Sequence, residues 1–142
     1  GPTISKTMTM TKAGSTVGLE RTSGLQRKYL TDKKHVYLLV RGSGAVTDMT
    51  VTKAAKVYIK YLEADTSKYV TIGFGDARNN SDLAATANNS NDASFFELGR
   101  LYGDEWMIIP WSGTADTGDI TVHPSSATAA APAIIEYIVF FD

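Results

Sequence analysis

From Lys56 to Ala77 the chain reads KVYIKYLEADTSKYVTIGFGDA. Val57, Ile59 and Tyr61 alternate with Tyr58, Lys60 and Leu62, and after a polar break Val70, Ile72 and Phe74 alternate with Tyr69, Thr71 and Gly73. A period of two is the signature of a strand with one face turned to a core. A helical stripe of Ala54, Val57, Tyr58, Tyr61 and Leu62 competes over the first run. The second, matched run favours strands, and the four-residue link DTSK predicts that 56–64 and 69–75 pair as a hairpin.

The same pattern recurs along the chain. HVYLLV, ended by Gly42 and Gly44, is too short for a helix and reads as a buried strand, and MTVTK (49–53) is a shorter candidate. Residues 13–33, punctuated by Gly14, Gly18 and Gly24, read as short strands or loop. Residues 76–94 are rich in Asn, Ser, Asp and Ala and predict a long surface loop. Strand-like runs follow around Phe95-Phe96 and Glu105–Ile109, then DITVHP, a small-residue loop SSATAAAPA, and IIEYIVFFD. In that last run Ile135, Tyr137 and Val139 share one face and Ile134, Ile138 and Phe140 the other, so both faces should be covered. About eight short strands separated by Gly, Pro, Asn and Ser predict an all-β domain, an antiparallel β-sandwich or barrel of jelly-roll-like kind.

Residues 3–12, TISKTMTMTK, stand apart. Thr suits a strand better than a helix, but Ile4, Met8 and Met10 are the only larger apolar residues, so the segment would bury little by itself. It reads as an extended N-terminal arm over 1–12, preceding a single domain over 13–142. Thr3, Ile4, Lys6, Met8, Met10 and Lys12 are its candidate partner-binding residues, because an extended segment can add to a neighbour's sheet edge through its backbone.

With 142 residues, 43% of them hydrophobic and 20% charged, one core without disulfides or metals is expected. No stretch approaches the ~18 consecutive apolar residues of a membrane helix, and no basic-then-apolar signal pattern opens the chain. The net charge of −1 hides an asymmetry. Residues 1–60 hold eleven Lys/Arg against three acids (+8), and residues 61–142 hold three against twelve (−9). Interleaved strands would mix these charges on the surface; otherwise they mark an electrostatic partner face.

Candidate chemistry is sparse. There is no cysteine, and His35 and His123 show no metal-ligand spacing. No G-x-S-x-G elbow is present. Glu97, Asp104, Glu105, Asp116 and Asp119 could supply a carboxylate pair, as any fifteen acids could. GFGDAR precedes no helix, which argues against a dinucleotide loop. Asp76, Asn79, Asn80, Asp82, Asn91 and Asp92 offer oxygen ligands without EF-hand order, and the sequons at Asn79 and Asn88 fit chance matches in an Asn/Ser-rich loop. No basic-aromatic motif suggests nucleic-acid binding. The expectation is a protein that is not an enzyme and has no cofactor or metal site. Tyr102, Trp106 and Trp111 are candidate glycan or interface aromatics, although most such residues serve packing.

The segments KVYIKYLEADTSKYVTIGFGD and LYGDEWMIIPW…DITVHPSSATAAAPAIIEYIVFFD, together roughly half of the chain, resemble small virion structural proteins of tailed bacteriophages, of the capsid decoration or cement type. The resemblance implies a β-sandwich that binds the assembled capsid surface and reinforces or decorates it. The implied partners are the major capsid protein or another virion protein and further copies of the chain, with no nucleic acid or membrane, and the implied location is the virion surface. A carbohydrate- or receptor-binding module of a phage tail or fibre is the alternative.

Overall fold

The computed structural model describes residues 8–12, 15–19, 21–39, 54–75, 96–112 and 119–141. MTVTK, the whole 76–94 segment, Phe95, and Thr3, Ile4 and Lys6 of the arm lie outside them. The described residues form eleven strands and no helix: β1 (Met8–Lys12), β2 (Ser15–Leu19), β3 (Arg21–Thr22), β4 (Gln26–Leu30), β5 (Val36–Leu39), β6 (Ala54–Leu62), β7 (Tyr69–Gly75), β8 (Phe96–Tyr102), β9 (Trp106–Ser112), β10 (Asp119–Pro124) and β11 (Ala133–Phe141).

Two antiparallel sheets make a β-sandwich. The first has the order β5-β10-β7-β8; the second runs β11-β6-β9, with β3 and β4 both pairing along the outer edge of β11. β1 and β2 form a separate two-stranded ladder. From β4 onward the chain passes repeatedly between the sheets, and within the second sheet no two strands from β4 to β11 that are consecutive in sequence lie side by side. The register places the turns 31–35, 63–68, 103–105 and 125–132 at one end of the sandwich.

The core is what the alternation predicts. Val57, Ile59 and Tyr61 of β6 and Ile135, Tyr137 and Val139 of β11 face Val70 and Ile72 of β7, Ile120 and Val122 of β10 and Leu38 and Leu39 of β5. β11 is also covered on its other face, where Ile138 and Phe140 join Tyr58 in a second buried cluster.

One pairing differs from expectation. β6 and β7 are strands, but they do not form a hairpin: β6 lies between β11 and β9, and β7 lies between β10 and β8. Residues 63–68 therefore cross between sheets, a span of ~10 Å rather than the ~4.8 Å between paired strands. Period two specifies the buried face and leaves the neighbour open. Here long-range partners occupy both edges of each strand. Within the N-terminal arm, Met8–Lys12 is a strand paired with Ser15–Leu19.

Candidate functional site: the side formed by β8 and β9

β8 and β9 are the outer strands of their respective sheets and are joined by the tight turn 103–105, so they lie along the same side of the sandwich. The turn is held by backbone bonds across the sandwich end. The Gly103 amide donates to the Lys68 carbonyl (3.0 Å), the Asp104 amide to the Tyr61 carbonyl (3.0 Å) and the Tyr61 amide to the Glu105 carbonyl (3.1 Å). A Cβ added at Gly103 would run into the Asp65 carbonyl, so only glycine allows this approach. Asp104 takes φ 68°, a conformation Asp tolerates better than most side chains.

Phe96, Leu98, Tyr102, Trp106 and Ile108 are five of the seven exposed large hydrophobics among the described residues, Leu25 and Tyr29 being the others. Phe96 is 69% exposed although its register partner Phe74 is half-buried against the core. At Leu98 the ladder slips: Ile72 pairs with Gly99 and Gly73 with Glu97, leaving Leu98 as a bulge. Bulges twist an edge and limit indiscriminate pairing.

The aromatic residues divide between the two outer faces of the sandwich, Tyr102 on that of the first sheet and Trp106 on that of the second. The Arg100 guanidinium lies 4.1 Å from the centre of the Tyr69 ring, and Tyr69 packs on Tyr102 with centroids 5.4 Å apart at 55°. A hydrogen bond with the Tyr102 side chain is the main reason that the Arg100 pKa is raised. Trp106 tilts against Tyr58 (6.4 Å, 51°), whose hydroxyl donates to Glu136 Oε2 (3.3 Å). Burial, with Glu136 adding to it, pushes the Tyr58 pKa up to about 12.

The three expected site aromatics thus separate. Tyr102 and Trp106 are exposed at either end of the 103–105 turn, whereas Trp111 is 4% exposed and belongs to the core. Met8, Met10 and Lys12 lie in β1, paired with Leu19, Val17 and Ser15 of β2. Phe96 and Leu98 were not singled out by sequence; alternation around a bulge hides the fact that an edge leaves them uncovered.

Among the described residues the candidate carboxylates do not converge; Asp116 and the oxygen donors of 76–94 lie outside them. Glu97 is 3.9 Å from Arg100, Asp104 pairs with Lys60 (3.0 Å) and Glu105 accepts the Tyr102 amide through Oε1 (2.6 Å). Each carboxylate is thus engaged by a different partner. His35 and His123, distant in sequence, stack with centroids 4.2 Å apart and 29° between planes. Stacked imidazoles turn faces rather than nitrogen lone pairs toward each other. Among the described residues no group of three His, Cys, Asp or Glu could hold a metal ion. Burial lowers the His123 pKa, partly opposed by a bond to the Lys33 backbone.

No protein-family model matches the chain, and no curated protein matches it. Among solved structures it is similar to the Yersinia pseudotuberculosis-derived mitogen, with 7% identity, a TM-score of 0.41 and 86% of each chain covered. A likeness that weak says nothing about function.

Proposed function

We propose that this chain is a non-enzymatic virion structural protein that binds the assembled phage capsid surface through its β8–β9 side and reinforces or decorates the shell. The observation that carries the reading is the concentration of exposed Phe96, Leu98, Tyr102, Trp106 and Ile108 on two adjoining edge strands. Exposed apolar residues gathered on two outer strands favour a protein interface, and aromatic side chains supply its strongest anchors. An outer strand also offers backbone groups for pairing with a partner. The resemblance to capsid decoration proteins supplies the kind of partner, a major capsid protein or another virion protein, and a homo-oligomer on the shell. The wound strand order, (β3, β4)-β11-β6-β9 over β5-β10-β7-β8, supports reading the sandwich as a jelly roll. The arm role of Thr3, Ile4 and Lys6 belongs to the same proposal.

Co-sedimentation with mature shells of the phage that encodes the chain tests it. Leu98→Ser combined with Trp106→Ala should abolish shell binding with little change in the melting temperature, and removal of residues 2–7 should weaken it. Full binding by the double variant would end the assignment to this side.

Exposed Trp106 on the outer face of the second sheet, and exposed Tyr102 with Tyr69 and Arg100 on that of the first, favour one alternative, a carbohydrate-binding module in which ring faces stack on sugars. A glycan array separates the two readings: saturable binding that Trp106→Ala removes, without shell binding, selects the carbohydrate module.

A further inference from the structure

The Tyr58–Ile138–Phe140 cluster stands on the outward face of the second sheet. Along β6 and β11 these residues alternate with Val57, Ile59, Ile135, Tyr137 and Val139, all of which belong to the core on the inward face. Yet Phe140 is 0% exposed, and Ile138 and Tyr58 are buried as well. In-plane neighbours cannot seal an outward-facing ring completely; something must lie over the sheet. The first sheet is on the opposite side, the turns 31–35, 63–68, 103–105 and 125–132 are at the Ala133 end of β11, and the 23–25 link runs along the edge of β11 beside Val139.

The β1–β2 ladder is the described element left to do this. Its register pairs Met8 with Leu19 and Met10 with Val17, while Thr9 pairs with Gly18 and Thr11 with Thr16. The register therefore puts the Met8–Leu19 and Met10–Val17 pairs on one face of the ladder, with Lys12–Ser15 at its turn end, and only Thr and Gly on the other. An isolated two-stranded hairpin is marginal and needs a surface to pack on. Its exit is fixed beside the cluster: only Glu20 separates β2 from β3, and β3 pairs Thr22 with Phe140 and Arg21 with Phe141. Ser23 locks this junction, its amide donating to the Val139 carbonyl (2.9 Å) and its Oγ accepting the Val139 amide (2.9 Å). Two residue steps place Leu19 within about 7 Å of Arg21 along the backbone.

We propose that the β1–β2 hairpin folds over the outer face of the second sheet of its own chain and covers the Tyr58–Ile138–Phe140 cluster. Ile108 and Trp106, which border the cluster through Tyr58, stay outside the cover, at 39% and 42% exposure. The hairpin is then a fixed part of the domain and the boundary of the exposed strip.

Equilibrium unfolding of the full chain tests this with two pairs of variants. Met10→Ser and Val17→Ser should lower the denaturation midpoint and raise binding of an apolar dye, while Thr9→Ser and Thr16→Ser, on the other ladder face, should do neither. A double-mutant cycle of Val17→Ala with Ile138→Ala should be non-additive, as residues in one packed cluster are. The cycle relies on mild substitutions that keep the protein folded. Equal effects from both faces, or an additive cycle, would show that another part of the chain covers the cluster. A midpoint that rises with protein concentration, together with a dimer by light scattering, would show the hairpin exchanged between copies and overturn the same-chain assignment.

Discussion

β11 and β8 are both rich in large apolar residues, AIIEYIVFF and FELGRLY, and they meet opposite fates. β11 has β6 on one edge and β3 and β4 on the other, and Ile135, Val139 and Phe140 are all 0% exposed. Among the described residues β8 has β7 on one edge alone, and Phe96, Leu98 and Tyr102 are exposed. Apolar content does not by itself decide burial. Position within the sheet does, because an outer strand at the side of a sandwich lacks both the second neighbour and the full cover of the facing sheet. That geometry turns the same residue types into core in one strand and into contact surface in the other.

The contrast is most directly broken by removing the central strand. Truncation of residues 134–142 should abolish soluble folding, since it strips β3, β4 and β6 of their common partner, and far-UV circular dichroism with a solubility assay would show it. Retention of a normal thermal transition would mean that β11 is not the organising strand. Single substitutions sharpen the same point. Ile135→Ala should cost about 2–5 kcal/mol by the usual range for buried truncations, whereas Leu98→Ala should stay within about 0.5 kcal/mol, both read from denaturant midpoints. Comparable losses at the two sites would deny the difference between centre and edge.

A third variant acts on the edge alone. Deleting Leu98 removes the bulge opposite Ile72 and Gly73 and leaves β8 a regular outer strand. Self-association, visible by size-exclusion chromatography as a concentration-dependent shift, should increase while stability changes little. A monomer with unaltered elution would mean that the bulge does not protect the edge.

The smallest effect concerns pH. Burial lowers the folded-state pKa of His123 below 6.5, so the unfolded chain takes up the proton first as the solution is acidified. This contribution to stability is fully present above about pH 6.5 and is lost as pH falls through the folded-state value. His123→Gln should flatten that limb of the stability profile in urea titrations between pH 7 and 5. An unchanged slope would locate the acid sensitivity elsewhere.

The class of fold was legible in the chain. Alternation at Val57, Ile59 and Tyr61, at Val70 and Ile72, and on both faces of 134–140 identified strands and their buried sides, because the period of the pattern is a local property of the backbone. Part of the candidate site was legible as well: Tyr102 and Trp106 stood out as aromatics, but Trp111, only five residues beyond Trp106, is core. Sequence could not separate them, since both belong to β9, and their odd difference in position places them on opposite faces of a strand whose inward side is known only once the facing sheet is in place.

What only tertiary structure decided is which strand lies next to which. The polar link after β6 suggested a hairpin with β7, yet β6 instead pairs with β11, Tyr58 opposite Ile138 and Glu136 opposite Lys60. Hydrogen-bond ladders are chemically alike, so a strand carries a strong statement about its buried face and a weak one about its neighbour. Choosing among neighbours depends on how all strands together close one core. That closure is a property of the whole chain, and it left β8 and β9 at the side with Phe96, Leu98, Tyr102, Trp106 and Ile108 uncovered.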